Sequence, residues 1–173
     1  MHTKQYKRAI GVFLNSENIQ LALEELKNAN VSIKNQSIIA KYNVKEEKEK
    51  NLNQAAANVA TDGLTELFDL GLLKIPSFGS IILAGAEALA ISCQLIQGRI
   101  GTAHHSFTNG LVDLGISKDK AKIYTDLVEK GYYLLILKID NHDIRIVQMI
   151  LHKHNIENWD IYDISKFSHA SPI

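Results

Sequence analysis

The chain has no excess of charge of either sign: 19 lysines and arginines stand against 19 aspartates and glutamates in 173 residues. Contact with nucleic-acid phosphates needs a net basic field, so DNA and RNA are not expected as partners. Cysteine is nearly absent. The single thiol, Cys93, excludes an intramolecular disulfide and a cysteine-ligated zinc cluster and suits a reducing compartment, so a cytoplasmic location is expected. An unbroken run of about 20 apolar residues, which a membrane span requires, is also missing. The nearest approach, residues 70–96, contains Lys74, Pro76, Glu87 and Gln94, and a buried helical pair is expected there instead. Residues 1–8 are polar and basic but run straight into an apolar stretch ending at Leu14, with no small-residue cleavage site, so no secretory signal is expected. What is present is 46% hydrophobic content, enough to bury the core of roughly one domain, or of one domain carrying an insertion.

Two stretches share one grammar. Residues 8–14 (RAIGVFL) are a short apolar run followed by Asn15-Ser16, whose side chains can accept from the free amides at a helix start. Ile19, Leu23, Leu26 and Asn30 then recur at helical spacing, with Ala22 and Ala29 beside them and Glu17, Gln20, Glu24 and Lys27 on the other side. Residues 31–34 connect to a second strand over 36–42 (QSIIAKY). Near the other end, residues 132–139 (YYLLILKI) have the aromatic and aliphatic content of a central strand, and Asp140-Asn141 takes the place of Asn15-Ser16. A helix with Ile144, Val147, Leu151 and His154 on one face, and Ile150 adjacent, leads to an alternating strand over 159–164 (WDIYDI). Each unit is a βαβ crossover that leaves one apolar sheet face bare, so the two should pair. The expected fold class is α+β: a ferredoxin-like sheet from two βαβ halves, both helices on one face, with a long helical insertion between the halves. The boundaries follow as 1–43 and 132–164 for the halves, 44–131 for the insertion and 165–173 for a C-terminal tail.

Within the insertion, KEEKEKNLN (45–53) is a solvated charge run, and residues 55–73 are expected to form a helix that the IPSFG segment at 75–79 breaks, because proline lacks an amide and clashes with a continuing helix. Residues 80–97 (SIILAGAEALAISCQLIQ) are expected as a small-residue helix, and 98–114 as another, interrupted near Gly110. Ser117 caps a last helix with Ala121, Tyr124, Leu127 and Val128 on one face, ended by Gly131 in a left-handed conformation.

Four segments, taken in order, carry a resemblance. RAIGVF, KIPSFGSIILAGAEALA, GISKDKAKIYTDLVEKGYYLLIL and IENWDIYDI together resemble a cyanobacterial family related to the bacterial general-stress and low-temperature-induced proteins, over residues 7–164. The resemblance implies a stress-associated protein without an established catalytic activity, whose middle region in other members is a glycine-rich, membrane-like helix pair. This chain departs from that pattern: Gly79, Gly85, Gly98, Gly101, Gly110 and Gly115 are irregularly spaced, and Gln97, His104, His105 and Asn109 interrupt them. It also has no nucleotide-binding glycine loop and no kinase catalytic segment.

Candidate residues are few. His104 and His105 point about 100° apart on a helix, so they make a polar surface or interface patch more readily than a metal site. His152 and His154 diverge as well, and His142 belongs to a capping loop beside Asp140 and Asp143. Glu87, inside an apolar helix, needs a partner, which Lys74 or Arg99 supplies as a structural ion pair. Gly85, among Ala84, Ala86, Ala88 and Ala90, permits close helix packing. Cys93 has no neighbouring base, and Ser77, Ser80 and Ser92 form no nucleophile elbow. Tyr124, Tyr132, Tyr133, Trp159 and Tyr162 are expected to cluster around the last strand pair as packing. No catalytic, cofactor or metal residue is assigned, and no enzyme activity is expected. Glu87, His104, His105, Gly85 and Arg99 are the interface or structural polar candidates. The reading is a non-enzymatic stress-associated homo-oligomer that self-assembles through its apolar insertion, with sheet edges as a further contact, because residues 64–97 hold more apolar helix than two βαβ units can cover. The alternatives are a small-ligand sensor or regulatory binding module, its ligand unnamed, and a peripheral membrane-associated protein, membrane contact ranking behind self-association.

Overall fold

The structure is a computed structural model of the chain and describes residues 5–41, 70–75, 79–84 and 103–164. In chain order the elements are β1 (Tyr6–Phe13), α1 (Ser16–Asn28), β2 (Ile33–Lys41), β3 (Leu70–Ile75), β4 (Gly79–Ala84), α2 (Ala103–Asp113), α3 (Lys118–Glu129), β5 (Tyr133–Asp140), α4 (Ile144–Lys153) and β6 (Glu157–Asp163). The fold is α+β. One six-stranded sheet has the order β3-β4-β2-β5-β1-β6, and every neighbouring pair is antiparallel.

The sheet is built outward from β5, whose residues Leu134, Leu135, Ile136 and Leu137 are all buried, as a strand covered on both faces requires. β1 and β2 flank it, Ile10 lying across from Ile136 and Ile38 across from Leu135. The two βαβ units therefore interleave: β5 sits between β1 and β2, and β1 sits between β5 and β6.

Alternation of side chains along the strands divides the interior into two layers. Ala9, Phe13, Ile38, Leu135, Leu137 and Ile139 pack against Ile19, Leu23 and Leu26 of α1 and Val147, Ile150 and Leu151 of α4. Ile10, Val12, Ile39, Ile81, Leu134 and Ile136 pack against Phe107 and Leu111 of α2 and Ala121, Tyr124 and Val128 of α3. The expectation of α1 and α4 on one face holds, and α2 with α3 covers the other. Each fully buried Ile, Leu or Phe contributes about 1.5–3 kcal/mol relative to exposure, so both layers matter to stability.

Helix ends follow from local chemistry. The Asn15 side chain accepts from the Asn18 amide at 2.9 Å, and Ser117 accepts from Lys120. α2, α3 and α4 close alike, the Gly115, Gly131 and Asn155 amides reaching back three residues and those of Ile116, Tyr132 and Ile156 reaching back five. Gly131 has φ +102°, the conformation expected of it.

Several expectations fail. Residues 70–75 and 79–84 are strands, not helix ends, so the middle segment is not purely helical: it adds a β3–β4 pair to the sheet through β2. Short apolar runs fit a buried strand as well as a buried helix, and pairing partners decide. α2 runs through Gly110 without a break, because tertiary burial overrides the low helix propensity of glycine. Asp140-Asn141 does not cap α4. β5 runs to Asp140, Asp143 is the N-cap without a side-chain cap bond, and its Oδ2 accepts from the Ser32 amide at 2.8 Å. Asn30 is not on the apolar face of α1 but past its end, at φ +58°, a conformation asparagine tolerates. β2 begins at Ile33 and β6 at Glu157, both earlier than expected. The charge run at 45–53, the helix body at 55–69 and the tail at 165–173 lie outside the described residues.

Candidate functional site

One polar cluster lies where α3 meets β6. Between Ile10 and Val12 the β1–β6 register shifts: Ile10 faces Asp160 but Val12 faces Glu157, so β6 carries one residue too many. This bulge holds Asn158 at φ +51°, and its carbonyl turns to the Tyr124 hydroxyl at 2.5 Å. The same hydroxyl lies 2.6 Å from Asp160 Oδ2, which Lys120 Nζ approaches to 3.4 Å. Arg8, on β1, donates to the Leu114 carbonyl just beyond α2. Helix α3, the edge strand and the end of α2 are thus tied together by side chains from β1 and α3.

Electrostatics fixes what this cluster can do. Burial, then the hydrogen bond to Asp160 and that carboxylate's charge, raise the Tyr124 hydroxyl well above the ordinary phenol range. Tyr162 is pushed up to about 12, by burial first and then by the charge of Asp160. Both phenols remain protonated donors at neutral pH and supply neither a base nor a nucleophile. The arrangement is a pin that satisfies the carbonyl the bulge frees from the ladder.

A second cluster joins α1 to α4. Glu25 accepts from Lys153 Nζ at 3.0 and 3.2 Å and lies 2.6 Å from His154 Nε2. These contacts, His154 first and Lys153 next, hold the Glu25 carboxyl below its ordinary value. A group with a depressed folded pKa stabilises the fold above its unfolded value, here 4.5, and that stabilisation is lost as pH falls through the folded value. Glu25→Gln is therefore expected to flatten the acid side of the stability curve. Parallel curves for the two proteins in urea titrations at falling pH would remove the clamp from the account.

At one end of the sheet, His142 Nδ1 lies 3.1 Å from Asp140 Oδ1, which also accepts from the His142 amide. Among the described residues no group of three or more His, Cys, Asp and Glu side chains is placed to hold a metal ion, and no helix is long and apolar enough to cross a membrane.

The residues singled out from sequence fare unevenly. His104 and His105 lie in α2, whereas Gly85, Glu87, Cys93 and Arg99 are outside the described residues. The aromatic set is not one cluster. Tyr132 and Tyr162 pack with Tyr124 on the α2/α3 layer, Tyr133 and Trp159 on the α1/α4 layer. His154, placed on the apolar stripe, is the C-cap of α4 and is held by Glu25. The Tyr124–Asp160 contact was missed because it joins positions 36 residues apart, and nothing local announces it.

The two edges of the sheet differ. β6 carries Glu157, Asp160 and Asp163 and is bent by the bulge, the usual devices that keep an edge from pairing with another chain. β3 reads LGLLKI, with Lys74 as its one charge, and among the described residues no strand pairs with its outer side. Comparison with family models, with curated proteins and with solved structures yields no match.

Proposed function

We propose that the chain is a non-enzymatic, cytoplasmic stress-associated protein that works by assembling with copies of itself. In this reading its core is ferredoxin-like, formed by β1, α1, β2, β5, α4 and β6, and the segment between β2 and β5 is an insertion that widens the sheet and covers its second face. The strand order β2-β5-β1-β6, with α1 and α4 together on one side, supports the ferredoxin-like assignment. The resemblance of four segments to the general-stress and low-temperature-induced proteins is what supports the stress role.

One observation carries the assembly reading. The sheet is packed on one face by α1 and α4 and on the other by α2 and α3, and at the β3 edge, which reads apolar apart from Lys74, no further strand is paired among the described residues. Of the two contacts expected, the apolar insertion and the sheet edges, this favours the edge, which the strands in that segment form.

Light scattering coupled to size exclusion tests it. A discrete species at a multiple of 19.3 kDa in plain buffer is the expected result. A monomer throughout the micromolar range overturns the reading, and so does aggregation that detergent relieves, which points to lipid as the partner instead.

A further inference from the structure

The inference rests on the self-assembly reading and assigns it a contact on a different surface from the sheet edge. We propose that the outer faces of α1 and α4 dock on the same faces of a second copy about a two-fold axis running along the helices, so that α4 of each copy lies on α1 of the other.

The two helices share one face of the sheet and are joined where Lys153 and His154 reach Glu25. Burial of one side of each helix fixes what the other side presents. On α1 the exposed row is Glu17, Leu21 and Glu24, four and then three positions apart and so on one stripe. On α4 it is Arg145, Met149 and His152 at the same spacing, with Ile146 beside Met149. One helix thus holds a leucine between two carboxylates, and the other a methionine between a guanidinium and an imidazole. No acidic residue occurs in Ile144–Lys153. Lys27, the one basic residue of α1, lies about 120° round the helix from Leu21, on the side opposite to Glu25 and α4.

Leu21, Ile146 and Met149 are 44%, 47% and 73% exposed in the single chain. Isolated apolar side chains at a surface are ordinary, but these three share one layer and are framed by charge of one sign on each helix. The outward side of α3 is different: Lys118, Asp119, Lys122 and Asp126 mix both signs around Ile123, the pattern of a solvated face.

Charge selects both the occupant and the symmetry. A two-fold axis across the helices would lay α1 on α1 and α4 on α4, setting like charges against each other. An axis along them sets the acidic row on the basic row twice, brings Leu21 and Met149 together between the charges, and closes at two copies. An anionic membrane surface fits less well, because it would meet both rows at once and repel Glu17 and Glu24 where it attracts Arg145.

The experiment exchanges the charges. Glu17→Lys with Glu24→Lys makes both rows basic, and Arg145→Glu with His152→Glu, in a separate chain, makes both rows acidic. By sedimentation equilibrium each variant alone is expected to dissociate at least about tenfold more readily than the natural chain. Mixed in equal amounts, the two are expected to return to the affinity of the natural chain, since acidic then faces basic at both contacts, a recovery that a fault in folding cannot produce. A readout without variants comes from the natural chain in a half-labelled sample, where the Met149 methyl is expected to give intermolecular NOEs to α1. Their absence in a sample that scattering shows to be dimeric overturns this contact and leaves self-assembly standing. A monomer at every concentration overturns both.

Discussion

Replacing Tyr124 with alanine is expected to lower the unfolding free energy by about 3–5 kcal/mol, the range for truncating a large buried aromatic. Tyr124 is fully buried and belongs to the layer formed with Phe107, Leu111 and Val128, so the ring leaves a cavity that its neighbours cannot close. Phenylalanine separates the ring from its hydroxyl. Tyr124→Phe keeps the packing but withdraws the donor from the Asn158 carbonyl, for an expected loss of about 1–3 kcal/mol. The pH dependence adds a second signature. An unfolded tyrosine releases its proton near pH 10, whereas Tyr124 in the folded chain holds its proton well past that point. Above that pH the unfolded state binds fewer protons than the folded one, so stability falls as pH rises. Tyr162, raised to about 12, contributes in the same direction between its unfolded and folded values. Denaturant titrations at rising alkaline pH should show a shallower fall for Tyr124→Phe than for the natural chain. Equal slopes would mean that the hydroxyl is not held as the geometry shows.

That pin also explains which parts of this protein a sequence discloses. β5 was legible because an unbroken aliphatic run has few homes other than the centre of a sheet, and α3 because Ser117, its apolar face and Gly131 agree on one helix. α1 was legible from Asn15 and the spacing of Ile19, Leu23 and Leu26. The β3–β4 pair was not: LGLLKI and GSIILA lack the alternation of a half-exposed strand, and the proline between them suits a turn as well as a helix break. What settles them is a partner, β2, encoded about forty residues upstream. The polar cluster was illegible for the same reason. Tyr124 looked like one more residue on an apolar helix face and Asp160 like the polar phase of an alternating strand, and only the bulge that turns the Asn158 carbonyl outward brings them into one site.

The other large expected effect lies on the opposite layer, beside the same register shift. Gly11 is buried midway along β1, where the β1–β6 register breaks, and a Cβ built on it would lie 2.5 Å from Ile156 Cδ1, 2.8 Å from Ile156 Cγ1 and 3.3 Å from the Glu157 carbonyl oxygen. Ile156 is itself nearly buried in the layer with Ala9, Phe13 and Leu151, so its side chain has little room to retreat. Gly11→Ala is accordingly expected to cost about 1–3 kcal/mol by overpacking. Ile156→Val, which deletes the nearest atom, should cost about 0.5–1.5 kcal/mol in the natural chain. In the Gly11→Ala background the same deletion removes the closer of the two contacts under 3 Å, so the double variant should be more stable than the sum of the two single losses predicts, with a coupling above about 0.5 kcal/mol. Chemical denaturation of the four proteins measures it. Additive losses would mean that β1 and β6 separate to admit the methyl group; because β6 also carries the acceptors of the Tyr124 hydroxyl, that separation should be accompanied by loss of the alkaline signature of the pin.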